Sequence, residues 1–287
     1  TVKEENVPEG YTLSIDDKDP AHPVLTNKHE PTVTQVKVTK KWDDANNQDG
    51  LRPKEIRVQL YAGDQKLGKE VVLSADNKWT HTFEKLAEKA NGQAIHYSVK
   101  EVDVPEGYTV TEESKEKGDV VLTNTHTPST VDIPVTKIWV DNDNQDGLRP
   151  AKITVKLLAN GGEVARKDIT SETDWKETFT GLPKFKDGKE IVYTLQEEKV
   201  ENYSPSIDQE SYTITNTHTP GKTTLSVTKQ WDDANNQDGL RPKSVKVQLY
   251  ADGKKSGEVI ELSAENKWTH TFADLDKNVK GKAITYT

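Results

Sequence analysis

One feature constrains this chain more than any other: a strand that carries a lysine between two core residues. The segment Val36-Lys37-Val38-Thr39-Lys40-Lys41-Trp42 recurs as Val135-Thr136-Lys137-Ile138-Trp139 and as Val227-Thr228-Lys229-Gln230-Trp231. Side chains alternate across a strand, so Val38, Lys40 and Trp42 share one face. If Val and Trp face a core, the lysine between them faces it too. The outward neighbour varies (Lys41, Ile138, Gln230), whereas the inward lysine and the tryptophan recur. An ammonium inside an apolar interior is costly unless it is paired. Each copy therefore demands a partner from elsewhere in the chain.

The spacing of the copies sets the domain organisation. Lys40 and Lys137 are 97 residues apart, and Lys137 and Lys229 are 92 apart. A closing motif keeps the same step: Leu25-Thr26-Asn27-Lys28-His29, Leu122-Thr123-Asn124-Thr125-His126 and Ile214-Thr215-Asn216-Thr217-His218. Two complete repeats follow, 32–128 and 129–220, with Pro31, Pro128 and Pro220 marking short linkers. Residues 1–31 match the C-terminal part of a repeat, since Val7-Pro8-Glu9-Gly10-Tyr11-Thr12 returns at 104–109. Residues 221–287 match the N-terminal part. Thr1 and Thr287 both align with Ser98, so the two terminal fragments are complementary and together amount to one repeat.

Within a repeat the pattern has period two. Ile56-Arg57-Val58-Gln59-Leu60-Tyr61, Trp79-Thr80-His81-Thr82-Phe83, Ile95-His96-Tyr97-Ser98-Val99 and Val120-Val121-Leu122-Thr123-Asn124 each alternate, with Gly/Asp turns between. The one candidate for a helical turn is Glu84–Ala90. About seven short strands per repeat predict an all-β fold of tandem sandwiches. With 30% charged and 32% hydrophobic residues, several thin domains fit the composition better than one large core. The chain has no cysteine, so neither disulfides nor thiolate metal sites are available to staple such domains. A net charge of -9 argues against a nucleic-acid partner, and no apolar run is long enough to contact a membrane as a span. With no methionine, the chain reads as an internal or processed piece of a longer precursor.

The lysine's partners follow from strand alternation. Asn124 lies on the face of Leu122, and Glu101 on the face of Tyr97 and Val99. In the next repeat the equivalents are Asn216 and Glu197. Each repeat thus aims a lysine, a glutamate and an asparagine at an apolar interior. Two readings are open. The first is a buried Lys–Glu ion pair with asparagine as hydrogen-bond filler. The second is chemical: burial lowers a lysine's pKa and raises a glutamate's, and a neutral amine beside a carboxamide is a nucleophile beside an acyl group. A protonated glutamate can polarise the carboxamide and shuttle protons while ammonia leaves. The product is an isopeptide bond from lysine Nζ to asparagine Cγ, formed once per domain without a cofactor.

Taken together, Val-Thr-Lys-x-Trp, Asn-Gln-Asp-Gly-Leu-Arg-Pro, Val-Gln-Leu-Tyr-Ala, Tyr-x-Val-x-Glu and Leu-Thr-Asn-x-His resemble the B-type repeats of Gram-positive collagen adhesins, the Cna-B-like domains. The resemblance covers essentially the whole chain. It implies reversed immunoglobulin-like sandwiches, each crosslinked by a Lys–Asn isopeptide bond with help from a buried acid. Carried over, the crosslinks are Lys40–Asn124 with Glu101 and Lys137–Asn216 with Glu197. The fragments hold half-sites, Glu4 and Asn27 in one and Lys229 in the other. The middle repeat departs from the pattern: Pro134 stands in its first strand, and the Val-Pro-Glu-Gly-Tyr turn is missing.

The expected role is a structural stalk at an extracellular bacterial surface, anchored to the wall through other regions. It would not be an enzyme, because its triads are consumed in one turnover. Its partners would be neighbouring repeats end to end, with head-to-tail chaining through the complementary fragments as a further expectation. The competing class is an adhesive module that itself binds a host matrix protein. The loop Asp43–Pro53 resembles a calcium loop, but aligned on Gly50 its first and twelfth positions are Ala45 and Ile56. An Asx-rich turn accounts for it better than a metal site. His29, His126 and His218 read as solvated residues just past the closing strands. His81 and His270 read as polar strand-edge positions.

Overall fold

The computed structural model describes residues 2–115 and 118–287, so the alignment of Thr1 with Ser98 lies outside the described residues. Among the described residues secondary structure is almost all strand, with a short 3₁₀ turn at Ser171–Thr173. Two compact units form. One comprises Thr1–Thr130 with Pro183–Glu190, and the other comprises Val131–Leu182 with Ile191–Thr287.

In the first unit, two sheets sandwich a core. One sheet runs Thr109–Ser114, Val120–Thr125, Val33–Asp43, Thr80–Ala87, and the other runs Gln65–Ser74, Glu55–Ala62, Tyr97–Glu101. The lysine strand Val33–Asp43 alternates as predicted: Val36, Val38 and Lys40 are buried, while Lys37 and Lys41 are exposed. Its neighbour is the closing strand Val120–Thr125, and the two run parallel, pairing Lys40 with Leu122 and Trp42 with Asn124. Parallel neighbours cannot be joined by a tight turn. Here the connection is the rest of the sandwich, so the first and last strands lie side by side. The core between the sheets is Val36, Val38, Ile56, Val58, Leu60, Leu73, Val99, Val120 and Leu122. The segment Glu84–Ala90 is not a helical turn. It continues strand Thr80–Ala87 and enters a small hairpin, Lys89–Ala90 with Gln93–Ala94. The two-residue turn of that hairpin, Asn91-Gly92, has both φ values positive, the geometry that matches strand twist. A second hairpin, Thr12–Asp16 with Val24–Lys28, holds the residues before the lysine strand.

The second unit repeats the plan. Lys176–Pro183, Thr130–Val140, Thr213–Thr217 and Ser204–Asp208 form one sheet, and Gly162–Thr170, Lys152–Ala159 and Tyr193–Glu197 the other. The parallel pairing places Lys137 opposite Ile214 and Trp139 opposite Asn216. Pro134 is accommodated because it is an exposed position of the lysine strand. Further along, Lys222–Thr228 pairs with Thr269–Asp276, and Ser244–Ala251 with Lys254–Ser263. Leu157 is fully buried at the centre of the second core. Leu157→Ala should cost about 2–5 kcal/mol through lost burial and a residual cavity. Denaturant unfolding of the full chain would measure it, and a change below the resolution of the experiment would show that this core is not close-packed.

Candidate functional site

The site lies between the two sheets. Lysine and asparagine come from parallel neighbours in one sheet, and glutamate comes across from the other. Val58 is the register partner of Glu101, and Val155 that of Glu197, so each carboxylate is flanked by apolar side chains. The side chains of Lys40 and Glu101 are both fully buried, with Nζ 3.8 Å from Oε2. Asn124, also buried, donates from Nδ2 to Glu101 Oε1 at 2.9 Å. The Lys40 ammonium also donates to the Lys41 carbonyl at 2.9 Å and sits over the Trp42 ring, 4.2 Å from its centroid.

The second triad is built alike. Lys137 Nζ is 3.1 Å from Glu197 Oε1, Asn216 Nδ2 donates to the same oxygen at 3.2 Å, and the Trp139 ring lies 4.5 Å from Nζ. Burial lowers Lys40 to about 8 against the opposing pull of Glu101, and it lowers Lys137 to about 8 against Glu197. Burial also pushes the Glu101 carboxyl upward, against the Asn124 hydrogen bond and the Lys40 charge. Glu101 Oε2 and Asn124 Oδ1 are both buried without a hydrogen-bond partner. Orphan acceptors in a dry site favour the protonated form of the Glu101 carboxyl.

The predicted half-sites are also partly assembled. Asn27 Nδ2 donates to both oxygens of Glu4, at 2.9 and 3.0 Å, in an exposed setting. Lys229 is exposed and lies over Trp231, 4.5 Å from the ring centroid. Among the described residues, no group of His, Cys, Asp or Glu is arranged to hold a metal ion.

A family model described as the Cna protein B-type domain matches residues 36–125, 133–217 and 225–287. The chain belongs to this family. It is 47% identical over 287 residues to a collagen adhesin of Staphylococcus aureus, covering 100% of this chain but 24% of that protein. The chain thus spans about a quarter of the length of that relative. The crystal structure of two B repeat units (B1B2) of the collagen-binding protein of Staphylococcus aureus is 47% identical. It covers 98% of this chain and 73% of its own, with a TM-score of 0.62. The fold is accordingly that of tandem B-type sandwiches, and the family is one of adhesin repeats, not of enzymes.

Two parts of these B-type repeats are not visible in the local sequence pattern. The first holds the tryptophan that covers the lysine. Asp44 is buried, and it accepts from Arg52 Nη2 and Nε (2.6 and 3.0 Å), from the Tyr108 hydroxyl (2.8 Å) and from the Asn47 amide (2.9 Å). Burial alone would raise the Asp44 carboxyl. The hydrogen bonds from Arg52, Asn47 and Tyr108 outweigh it and hold the group at about 2. Tyr108 and Trp79 pack edge-on against Trp42, with ring centroids 5.2 and 5.3 Å away. Asp141, Arg149, Tyr203, Trp139 and Trp175 repeat the cluster. The Asx-rich loop therefore contributes a buried ion pair that buttresses the site.

The second corrects the expectation for the histidines. His126 and His218 are not solvated; their side chains are 12% and 14% exposed. His126 Nδ1 is 2.8 Å from the Gly107 carbonyl, and Nε2 is 3.0 Å from Asp49 Oδ2. A carbonyl and a carboxylate both accept, so both ring nitrogens must donate and the ring is an imidazolium. Asp49 and the Gly107 carbonyl raise its pKa, and His218 is raised in the same way by Asp146. A raised folded value stabilises fully below the unfolded pKa of about 6.5 and loses that contribution as pH rises through the folded value. Denaturant stability of the wild type should therefore fall with pH above that point. Relative to it, His126→Ala should flatten the dependence; parallel profiles would contradict a buried imidazolium.

Proposed function

We propose that this chain is a segment of the stalk of a bacterial surface adhesin, each complete repeat welded by an intramolecular Lys–Asn isopeptide bond. The observation that carries the proposal is that one buried glutamate engages both the amine and the carboxamide, as in Lys137–Glu197–Asn216. The neutral Lys137 Nζ adds to Asn216 Cγ, the Nζ–Cγ bond forms, and the Cγ–Nδ2 bond breaks. Glu197 relays a proton from Nζ to Nδ2, which leaves as ammonia. Fixed placement supplies the effective concentration that a free amine and a free amide lack. No external substrate is turned over, and no cofactor takes part. Repeat boundaries at 32–128 and 129–220, flanked by the fragments 1–31 and 221–287, place one complete triad in each full repeat.

The bond suits a stalk because of where it falls in the strand order. Tension entering at Val33 and leaving at Thr125 would pass through Lys40 and Asn124, and residues 41–123 would carry none of it. Closing a loop of 84 residues removes unfolded-state entropy worth about 4.5 kcal/mol, by analogy with a disulfide. The crosslink cannot be reduced, which fits a cysteine-free chain at an extracellular surface. The collagen adhesin relative makes a matrix-protein ligand the natural test of the alternative, direct adhesion: saturable collagen binding by this segment would favour it over a stalk.

Two measurements test the chemistry. Under denaturing conditions the intact mass should be lower than the sequence mass by two ammonias, and in Lys40→Ala lower than its own sequence mass by one; no deficit in the wild type, or the same deficit in both proteins, would overturn the proposal. The half-sites extend it: Lys229 of one molecule and Glu4 with Asn27 of another make a complete set. Purified chain should accordingly form a ladder of covalent multimers on denaturing gels, absent in Lys229→Ala. A single monomer band would rule out head-to-tail coupling while leaving the intramolecular bonds standing.

A further inference from the structure

We propose that the Asx-rich loop is the socket of a repeat-to-repeat joint, and that its ligand is the glycine tip of a hairpin on the following B-type repeat. In the second unit the loop residue Gly147 and Gly281, in the turn of the hairpin Asn278–Val279 with Lys282–Ala283, meet backbone to backbone. A Cβ built on Gly147 would lie 2.5 Å from the Gly281 Cα, and one built on Gly281 would lie 3.0 Å from the Gly147 Cα. A side chain on Gly147 would force the backbones apart, and one on Gly281 would press against the facing backbone. Both residues also have positive φ, 69° and 75°, so two independent demands select glycine at each position.

Directed bonds fix the contact. The Gly281 amide donates to the Gln145 carbonyl at 3.0 Å. Asp146 Oδ2 accepts from the Gly221 amide of the linker at 2.8 Å and lies 2.9 Å from Nε2 of the imidazolium His218. Its Oδ1 accepts from Asn278 of the hairpin at 3.1 Å. The linker closes the circuit, as Lys277 donates its amide to the Gly221 carbonyl at 3.0 Å. One carboxylate thus ties together the loop, the end of the closing strand, the linker and the incoming hairpin.

The first unit contains the same device. A Cβ built on Gly50 would lie 2.5 Å from the Gly188 Cα, one built on Gly188 would lie 3.0 Å from the Gly50 Cα, and the Gly188 amide donates to the Gln48 carbonyl at 3.0 Å. Asp49 Oδ2 accepts from the Ser129 amide at 2.8 Å, and Lys184 donates to the Ser129 carbonyl at 2.9 Å. Phe185 stands where the second joint has Asn278, and Asp49 Oδ1 is buried without a partner. The socket is preformed. The third loop has the same Asp233–Arg241 ion pair and Asn236 bonds, and its Ala234, Asn235 and Asn236 are left-handed like Ala45, Asn46 and Asn47, yet a Cβ on Gly239 would meet nothing within 4 Å.

That third loop supplies an internal control. Gly239→Ala imposes the same left-handed strain (φ 64°) without a facing backbone. The chain has no cysteine, so spin labels can be placed at the exposed Glu210→Cys and Glu258→Cys on either side of the joint in the second unit. Pulsed dipolar measurements on the full chain should give a narrow distance distribution for the otherwise wild-type protein. Gly147→Ala should broaden and shift it, Gly281→Ala should do the same from the opposite side, and Gly239→Ala should leave it unchanged. Unaltered distributions in both joint variants, or equal broadening in Gly239→Ala, would overturn the proposal. The Lys137, Glu197 and Asn216 side chains are untouched in all three variants, so the outcome is independent of crosslink formation.

Discussion

An amine held in a dry interior organises each repeat of this chain. Lys40 and Lys137 are fully buried at their side chains, and burial brings both to about 8, within reach of the neutral form at ordinary pH. A bare ammonium could not be kept there, so the fold delivers a carboxylate from the facing sheet and a carboxamide from the adjacent strand. A buried ion pair by itself is a poor investment in stability, because desolvation offsets most of the attraction. In the proposed crosslink, converting amine and amide into a neutral isopeptide would remove the charge and keep the connection. This gives a physical reason for a thin sandwich without disulfides to carry such a triad at its centre.

The surroundings of the triad have a consistent logic. Trp42 covers the amine, Tyr108 and Trp79 pack edge-on against Trp42, and Arg52 paired to Asp44 lies over the same indole. Position is therefore set by packed rings and a buried ion pair, while the loop that supplies Asp44 also carries Gly50, which faces Gly188, and the buried Asp49, which accepts from the Ser129 amide. A single loop thus supports the interior chemistry on one side and, in the proposed joint, receives the next repeat on the other. Mechanical continuity along a stalk needs both: a crosslink within each sandwich and a stiff coupling between sandwiches.

Much of this was legible in the sequence. Period-two alternation placed Lys40, Glu101 and Asn124 inward, and fixed spacing showed that the pattern repeats. The parallel pairing of a repeat's first and last strands, which puts Leu122 beside Lys40, depends on the order of strands in the sheet and not on the alternation within either one. What was not legible depends on contacts between distant segments. Asp44, Arg52 and Tyr108 are spread over 64 residues, and nothing local says that they converge. His126 looked solvated because its partners, Asp49 and the Gly107 carbonyl, come from other turns of the chain. The segment Glu84–Ala90 looked like a helical turn because its charged residues obscure alternation; cross-strand pairing with Val33 and Thr34 overrides that local impression.

The claim on which the account rests is a covalent one, and tandem mass spectrometry of a protease digest of the denatured chain tests it most directly. The account predicts branched peptides joining Lys40 to Asn124 and Lys137 to Asn216, each lighter by one ammonia than the sum of its two arms. Linear peptides alone, with the lysine amines and asparagine carboxamides intact, would contradict it.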